Sequence, residues 1–392
     1  MIFRTVQDRL RTGKTSVLLL GPRKVGKATV AHALDPGRVI NLADQPTHLA
    51  YAKDPARLRR ELGTLTHPSL VLIHQVQRIP SLLDAIQSEI DQVGRHRFIL
   101  TASSARKLQR GGDSPSSGKI TREHLDPLSV WELGEAFDLE RALQVGTLPG
   151  AYLDHESGLD FLDSYATAYL RDEVQGEALI RDVGSYARFL DIAAVESGNF
   201  INYSKLSRDT GIAKETIRRF FQILEETLLV FRIPPVPSRQ HSRRINQRDR
   251  IVFFDLGVRN ALLGTHRHPP APSQKAKLFE QWFILQCLYL IRANHLPWRV
   301  YSFRTEQGAE VDLIIDVGKF YLAIDCRLGR DVSASQLGGL RSFAELADKP
   351  VKRFVVFQGD KPQRLPSGVE VVVPYLHFLL HTLPDLAAWI GE

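Results

Sequence analysis

The chain has 392 residues, 43% hydrophobic and 24% charged, which excludes a disordered or fibrous protein; at roughly 150 residues per domain it predicts two to three domains. Lys and Arg number 51 against 44 Asp and Glu, a net charge of +7 that favours anionic partners, chiefly nucleic acid. Cys287 and Cys326 have no metal-ligand spacing, so neither a disulfide scaffold nor a zinc cluster is expected and a reducing cytoplasm fits.

In chain order, residues 1–134 read as an α/β domain. Short apolar runs at Ser16–Leu20, Val39–Leu42, Leu70–Ile73 and Phe98–Thr101 alternate with helical patterns such as Leu82-Leu83-Ala85-Ile86-Ile90. Buried runs of this length between helices predict a parallel sheet covered on both faces. Arg110–Ser117, with its Gly, Ser and Pro, reads as a loop.

Residues 135–237 read as helical. Phe161–Glu177 has helical spacing, and Phe200–Phe220 carries a short helix, a turn at Gly211 and a second helix from about Ala213. That is a helix-turn-helix pattern. Lys214, Arg218 and Arg219 mark the second helix as a DNA-contacting candidate, while Ile217, Phe221 and Leu224 form its buried face. The strand-like Leu228–Ile233 then suggests a winged helix. The alternative is a small helical domain that packs only within its own chain.

Residues 238–392 return to alternating helix and strand, with strand candidates at Leu313–Asp316, Tyr321–Asp325, Phe354–Gln358 and Val369–Val373. The opening stretch, Arg239–Arg250, is basic; Arg243, Arg244 and Arg248 in it are candidates for phosphate contact, and a solvated linker is the other reading. The longest apolar run, Trp282–Ile291, falls short of the roughly 20 residues a bilayer needs. No signal-peptide core opens the chain, so the expectation is a cytoplasmic protein without a membrane partner.

The strongest motif is Gly21-Pro22-Arg23-Lys24-Val25-Gly26-Lys27-Ala28-Thr29, set between an apolar strand and a helical segment. This is the G-x-x-x-x-G-K frame of a phosphate loop, whose amides wrap the phosphates of ATP or ADP while Lys27 reaches the terminal ones. The frame wants Ser or Thr after the lysine to ligate Mg²⁺. Ala28 stands there, and Thr29 is turned about 100° round the helix. The second half of such a site is a strand ending in carboxylates, but Leu70–Ile73 ends in His74 and Gln75. Neutral histidine is a poor Mg²⁺ ligand, and glutamine orients a water without taking its proton. Three altered positions together argue against Mg²⁺ and against hydrolysis.

These phrases resemble the bacterial and archaeal AAA+ superfamily ATPases that join an N-terminal ATPase core to a C-terminal domain of unknown function with a restriction-endonuclease-like fold. The resemblance runs through Gly21–Thr29, Ile73–Pro80, Phe98–Ser104, Gly118-Lys119, Leu125–Leu133, Leu162–Val174, the segment from Asn202 and Phe254–Val258. It implies an AAA+-like domain at 1–134, a helical and winged-helix domain at 135–237 and a restriction-endonuclease-like domain at 238–392. Against the family phrases, Thr becomes Ala28, Asp becomes His74, Glu becomes Gln75, Gly becomes Ala102 and Arg becomes Lys119. Lysine cannot make the planar bidentate contact that such an arginine could offer a neighbouring subunit's nucleotide. The nucleotide chemistry is altered while the scaffold phrases remain, as in a degenerate ATPase or pseudoenzyme.

The C-terminal run Phe303–Ile315, followed by Leu322–Arg327, resembles a nuclease arrangement in which Asp312 and Asp325, with Glu280 as a third carboxylate, would hold Mg²⁺. Arg327 stands where a lysine would assist the water, and it is no base near neutral pH. Acidic strand ends without a metal are the favoured reading. The whole sequence predicts a nucleotide-binding, ATPase-like protein that acts by binding DNA or a protein partner with little or no hydrolysis. An active ATPase with unusual Mg²⁺ ligands and a Mg²⁺-dependent DNA nuclease are the alternatives, and oligomerisation is open.

Overall fold

The computed structural model describes residues 2–104, 119–169, 183–237, 245–330, 332, 337–364 and 371–391. The chain divides into two compact units, one of residues 1–128 and 224–229, the other of residues 129–223 and 230–392. The expected loop Arg110–Ser117, Gly118, the segment 170–182 and the residues 238–244, Arg243 and Arg244 among them, lie outside the described residues.

In the first unit, α1 (Val6–Thr12) precedes β1 (Ser16–Leu20), α2 (Lys27–His32), β2 (Arg38–Asn41), α3 (Gln45–Lys53), α4 (Arg57–Gly63), β3 (Leu70–His74), α5 (Leu82–Gln92), β4 (Arg97–Ala102) and β5 (Ile120–His124). The strands form one parallel sheet in the order β2-β3-β4-β1-β5. β1, β3 and β4 are the predicted apolar runs, and both faces of each are buried because helices cover the sheet. On α5, Leu82, Ile86 and Ile90 recur at i, i+4, i+8 and enter the core built on Leu18, Ile73, Phe98 and Leu100. Because the strands are parallel, the loop after β1 and the tip of β3 emerge at one edge. β4 lies between them, so its last residues face both.

The second unit opens with α6 (Val130–Leu133), α7 (Leu139–Val145), α8 (Pro149–Tyr152), α9 (Gly158–Ser164) and α10 (Val183–Glu196). The Ser129-x-x-Glu132 phrase is a capping box: Glu132 N–H donates to Ser129 Oγ at 3.4 Å and Ser129 N–H donates to Glu132 Oε2 at 3.0 Å. α11 (Tyr203–Thr210) and α12 (Lys214–Glu226) are joined at Gly211, whose φ of 70° is the left-handed value the turn needs. Ile217, Phe221 and Leu224 form the buried face of α12, as their spacing predicts.

β6 (Val230–Ile233) and β7 (Arg250–Phe253) make a two-stranded antiparallel ribbon. Asp255 caps α13 (Leu256–Leu262), accepting from Val258 N–H at 3.0 Å and from Thr147 N–H at 2.7 Å. α14 (Pro272–Ala293) is a 22-residue helix and largely buried. It precedes a six-stranded mixed sheet ordered β12-β13-β11-β10-β9-β8, with β8 (Arg299–Arg304), β9 (Glu310–Asp316), β10 (Tyr321–Arg327), β11 (Val351–Phe357), β12 (Gln363–Arg364) and β13 (Val371–Pro374). β8 to β9 and β9 to β10 are antiparallel; β10 to β11 and β11 to β13 are parallel.

Candidate functional site

The phosphate loop sits at the carboxyl edge of the first sheet. Lys24 has φ 62° and Gly26 has φ 100°; such left-handed residues turn successive amides toward one point, the geometry of an anion nest. Gly21 has no room for a side chain, since a Cβ there would lie 2.1 Å from the Leu125 carbonyl oxygen. Lys27 Nζ donates to the carbonyl oxygens of Gly21 and Pro22, both at 2.6 Å, so its ammonium lies across the loop. Arg4, buried to 5% exposure, holds the loop through Nη1 to the Val25 carbonyl at 2.7 Å and reaches the Asp126 carbonyl through Nη2 at 2.6 Å. These residues fit a bound ATP or ADP.

They do not fit Mg²⁺. Ala28 and Thr29 are exposed on the first turn of α2, and Ala28 has no side-chain oxygen. His74 ends β3, with Nδ1 3.3 Å from Thr101 Oγ1 and Nε2 3.2 Å from His32 Nε2. Burial, with the charges of His32 and Lys27 adding to it, pushes the His74 imidazole down to about 4, so the ring is neutral at pH 7. Gln75 takes a left-handed φ of 56°, and its N–H donates to Thr101 Oγ1 at 3.2 Å. Asp44 is used as the cap of α3: it accepts from the N–H and the hydroxyl of Thr47 at 3.0 and 2.8 Å. Lys119 pairs with Asp91 at 2.8 Å.

The nuclease-like positions lie in the second unit, round a cavity of 790 Å³ lined by Glu280, Asp312 and Arg327 together with Lys205, Arg248 and Lys277. Asp312 on β9 and Asp325 on β10 are neighbours across the antiparallel pair: Asp312 N–H donates to Asp325 Oδ1 at 3.4 Å and Cys326 N–H to Asp312 Oδ2 at 2.7 Å. Burial raises both carboxyl groups above the usual carboxylate range, the proximity of Asp312 raises Asp325 further, and Arg327 opposes this at 3.0 Å from Asp325. Glu280 is engaged by Arg250. Among the described residues no three His, Cys, Asp or Glu side chains are grouped to hold a metal ion, these three carboxylates included.

Arg250, the last residue of the basic stretch Arg239–Arg250, departs from the expectation of a solvent-facing segment, whereas Arg248 is exposed. Arg250 is 1% exposed, donating to the carbonyls of Gly198 and Asp312, both at 2.9 Å, as well as to Glu280. As the first residue of β7 it faces inward, and its charge alone gave no sign of that.

Of the DNA-contact candidates, Lys214, Arg218 and Arg248 line a second cavity of 630 Å³, joined there by Arg232 and Tyr203. The Arg218 guanidinium lies 5.2 Å from the centre of the Tyr203 ring. Arg219 is exposed and does not line that cavity.

Sequence reasoning missed Arg4, His32, Lys277 and Arg250. Arg4 and Arg250 act through contacts far apart in sequence. His32 had one available signal, its place four residues after Ala28 on the same face of α2.

Residues 13–134 match a family described as an AAA domain, residues 136–268 a domain of unknown function (DUF8612) and residues 275–378 a domain of unknown function (DUF4143). Uncharacterised proteins of Mycobacterium bovis and Mycobacterium tuberculosis are each 26% identical over 309 residues, spanning 77% of this chain and 67% of theirs. Among solved structures, a Walker-type ATPase of Pyrococcus abyssi is 15% identical with a TM-score of 0.46, covering 66% of this chain and 94% of that one. A signal-transduction ATPase with a tetratricopeptide-repeat sensor from Pyrococcus horikoshii is 12% identical at TM-score 0.22, over 74% and 46%. The N-terminal region is an AAA-type, ATPase-like domain with a phosphate loop, on the strength of the AAA match and the loop itself. No helix among the described residues is long and apolar enough to cross a membrane.

Proposed function

We propose that the first unit holds ATP or ADP on its phosphate loop with little or no hydrolysis, and that the protein acts by binding DNA. The observation that carries the first part is the tip of β3. A neutral His74 and an amide, Gln75, stand opposite a loop that keeps Lys27. Nucleotide can be gripped there by amides and an ammonium, while the tip of β3 offers no carboxylate to hold Mg²⁺ or take a proton from water. Phosphate release by the purified chain tests this reading. Background rates are expected, with recovery only when Ala28→Thr, His74→Asp and Gln75→Glu are combined. Ordinary turnover that Lys27→Ala abolishes would instead favour an active ATPase with unusual ligands.

DNA binding is supported by the second unit. The 630 Å³ cavity is lined by four cationic side chains, Lys214, Arg218, Arg232 and Arg248, against one acid, Asp249. Such a surface binds phosphate backbones without reading bases. A protein partner is the alternative. For the nuclease reading, a restriction-endonuclease-like second unit would need its carboxylates free for Mg²⁺, whereas arginines engage Glu280 and Asp325. We therefore read that cluster as a binding surface without cleavage.

A further inference from the structure

We propose that the two cavities of the second unit form one groove for a single-stranded stretch of DNA, with Tyr203 and Phe200 as the platforms on which unpaired bases stack. This rests on the DNA reading above and narrows its ligand to unpaired strands.

The cavities of 790 and 630 Å³ share two lining residues, Asn202 and Arg248, and so adjoin. Asn202 caps α11, its Oδ1 accepting from Lys205 N–H at 3.1 Å. Phe200, two residues before that cap, lines the larger cavity, and Tyr203, the first residue of the helix, lines the smaller. Each of these half-buried rings lies beneath an exposed guanidinium. Arg218 is 5.2 Å from the Tyr203 ring centre and Arg304 is 5.6 Å from that of Phe200. An aromatic ring with a guanidinium over it is a layered π surface, on which a base adds as a further layer. A duplex keeps its bases inside its own stack. Rings recessed in a cavity are therefore reached only by bases that have left it.

The charges fit the same ligand. Lys205 lines the larger cavity, Lys214 the smaller, and Arg248 stands where the two join. Among the described residues none of these three is paired with an acid. Three of the acids that line the groove are held by arginines: Asp249 by Arg232 at 2.6 Å, Glu310 by Arg304 at 3.6 Å, and Glu280 by Arg250. Asp312 accepts from Cys326 N–H at 2.7 Å. Lys205, Arg248 and Lys214 are thus left to meet successive phosphates of a strand whose bases turn toward Phe200 and Tyr203.

The test is a fluorescence-anisotropy titration of the full chain with an oligo-dT strand, a duplex of the same length, and a strand of that length built of abasic nucleotides. The abasic strand keeps the phosphates and lacks the bases. Losing one stacked base costs about 5–150-fold in affinity, so oligo-dT should bind more tightly than the abasic strand by at least that range, and more tightly than the duplex. Tyr203→Ala should weaken oligo-dT by a factor in the same range and leave the abasic strand unchanged. Tyr203→Trp should keep the affinity and add an emission that oligo-dT quenches. Tyr203 meets the Phe221 ring edge-on at 6.1 Å, so the Tm of each variant is measured beside its affinity. Where Tyr203→Ala fails to fold, the abasic comparison on the wild type and the quenching of Tyr203→Trp decide. Equal wild-type affinity for oligo-dT and the abasic strand, or for oligo-dT and the duplex, overturns the proposal. If that common affinity still falls steeply with salt, the DNA reading stands without it. A chain that binds none of the three probes overturns both.

Discussion

Arg4 donates to the carbonyl oxygen of Val25 at 2.7 Å, so a residue before the first helix fixes the back of the phosphate loop. The same guanidinium reaches the Asp126 carbonyl at 2.6 Å and ties the loop to the segment after β5. Removing it orphans two acceptors next to the nucleotide site. Arg4→Ala should lower stability by about 1–3 kcal/mol and weaken nucleotide binding, with Lys27 still in place. Denaturant melts and nucleotide titrations of the variant check this; wild-type values in both would show that the loop holds itself.

The buried His74 sets a pH dependence. Its folded imidazole titrates near 4 against 6.5 for the ordinary group. Between those values the unfolded chain binds more protons, so stability rises with pH across that window. The contribution is complete above about 6.5 and is lost as pH falls toward 4. Melting temperatures across this range should fall more steeply with acid for the wild type than for His74→Asn. Equal slopes would mean that His74 protonates freely in the fold.

Arg250 is a keystone of the second unit. Truncating it leaves Glu280 and the carbonyls of Gly198 and Asp312 without its guanidinium. Breaking a buried pair from one side costs about 3–5 kcal/mol, so Arg250→Met should cost that much. Arg250→Met with Glu280→Gln should recover part of it. Urea unfolding of the single and double variants measures the coupling.

The DNA reading makes an electrostatic prediction. Lys214→Ala, Arg218→Ala and Arg248→Ala together should weaken duplex binding across sequences. They should also reduce the slope of log affinity against log salt by up to about 3. Binding measured at several salt concentrations decides it; an unchanged slope with a lowered Tm would make these side chains structural.

The buried strands were legible because strands covered on both faces must be continuous apolar runs, as Val17–Leu20, Val71–Ile73 and Phe98–Leu100 are. The turn at Gly211, the buried face of α12 and the Gly21–Lys27 frame were legible for equally local reasons. β5 was not, because an edge strand reading Ile-Thr-Arg-Glu-His buries only Ile120 and Glu123. The inward course of Arg250, the hold of Arg4 on Val25 and the meeting of His32 with His74 join residues from 21 to 62 positions apart. Only the pairing of elements in space brings them together, and no periodicity encodes it.

Calorimetric titration of the full chain with ADP and with ATP, in chelator and in millimolar Mg²⁺, beside Lys27→Ala, tests most directly whether the phosphate loop grips nucleotide without Mg²⁺. The same affinity is expected with and without Mg²⁺, and a large loss for Lys27→Ala. Binding that appears only with Mg²⁺, accompanied by release of phosphate from ATP, would contradict this.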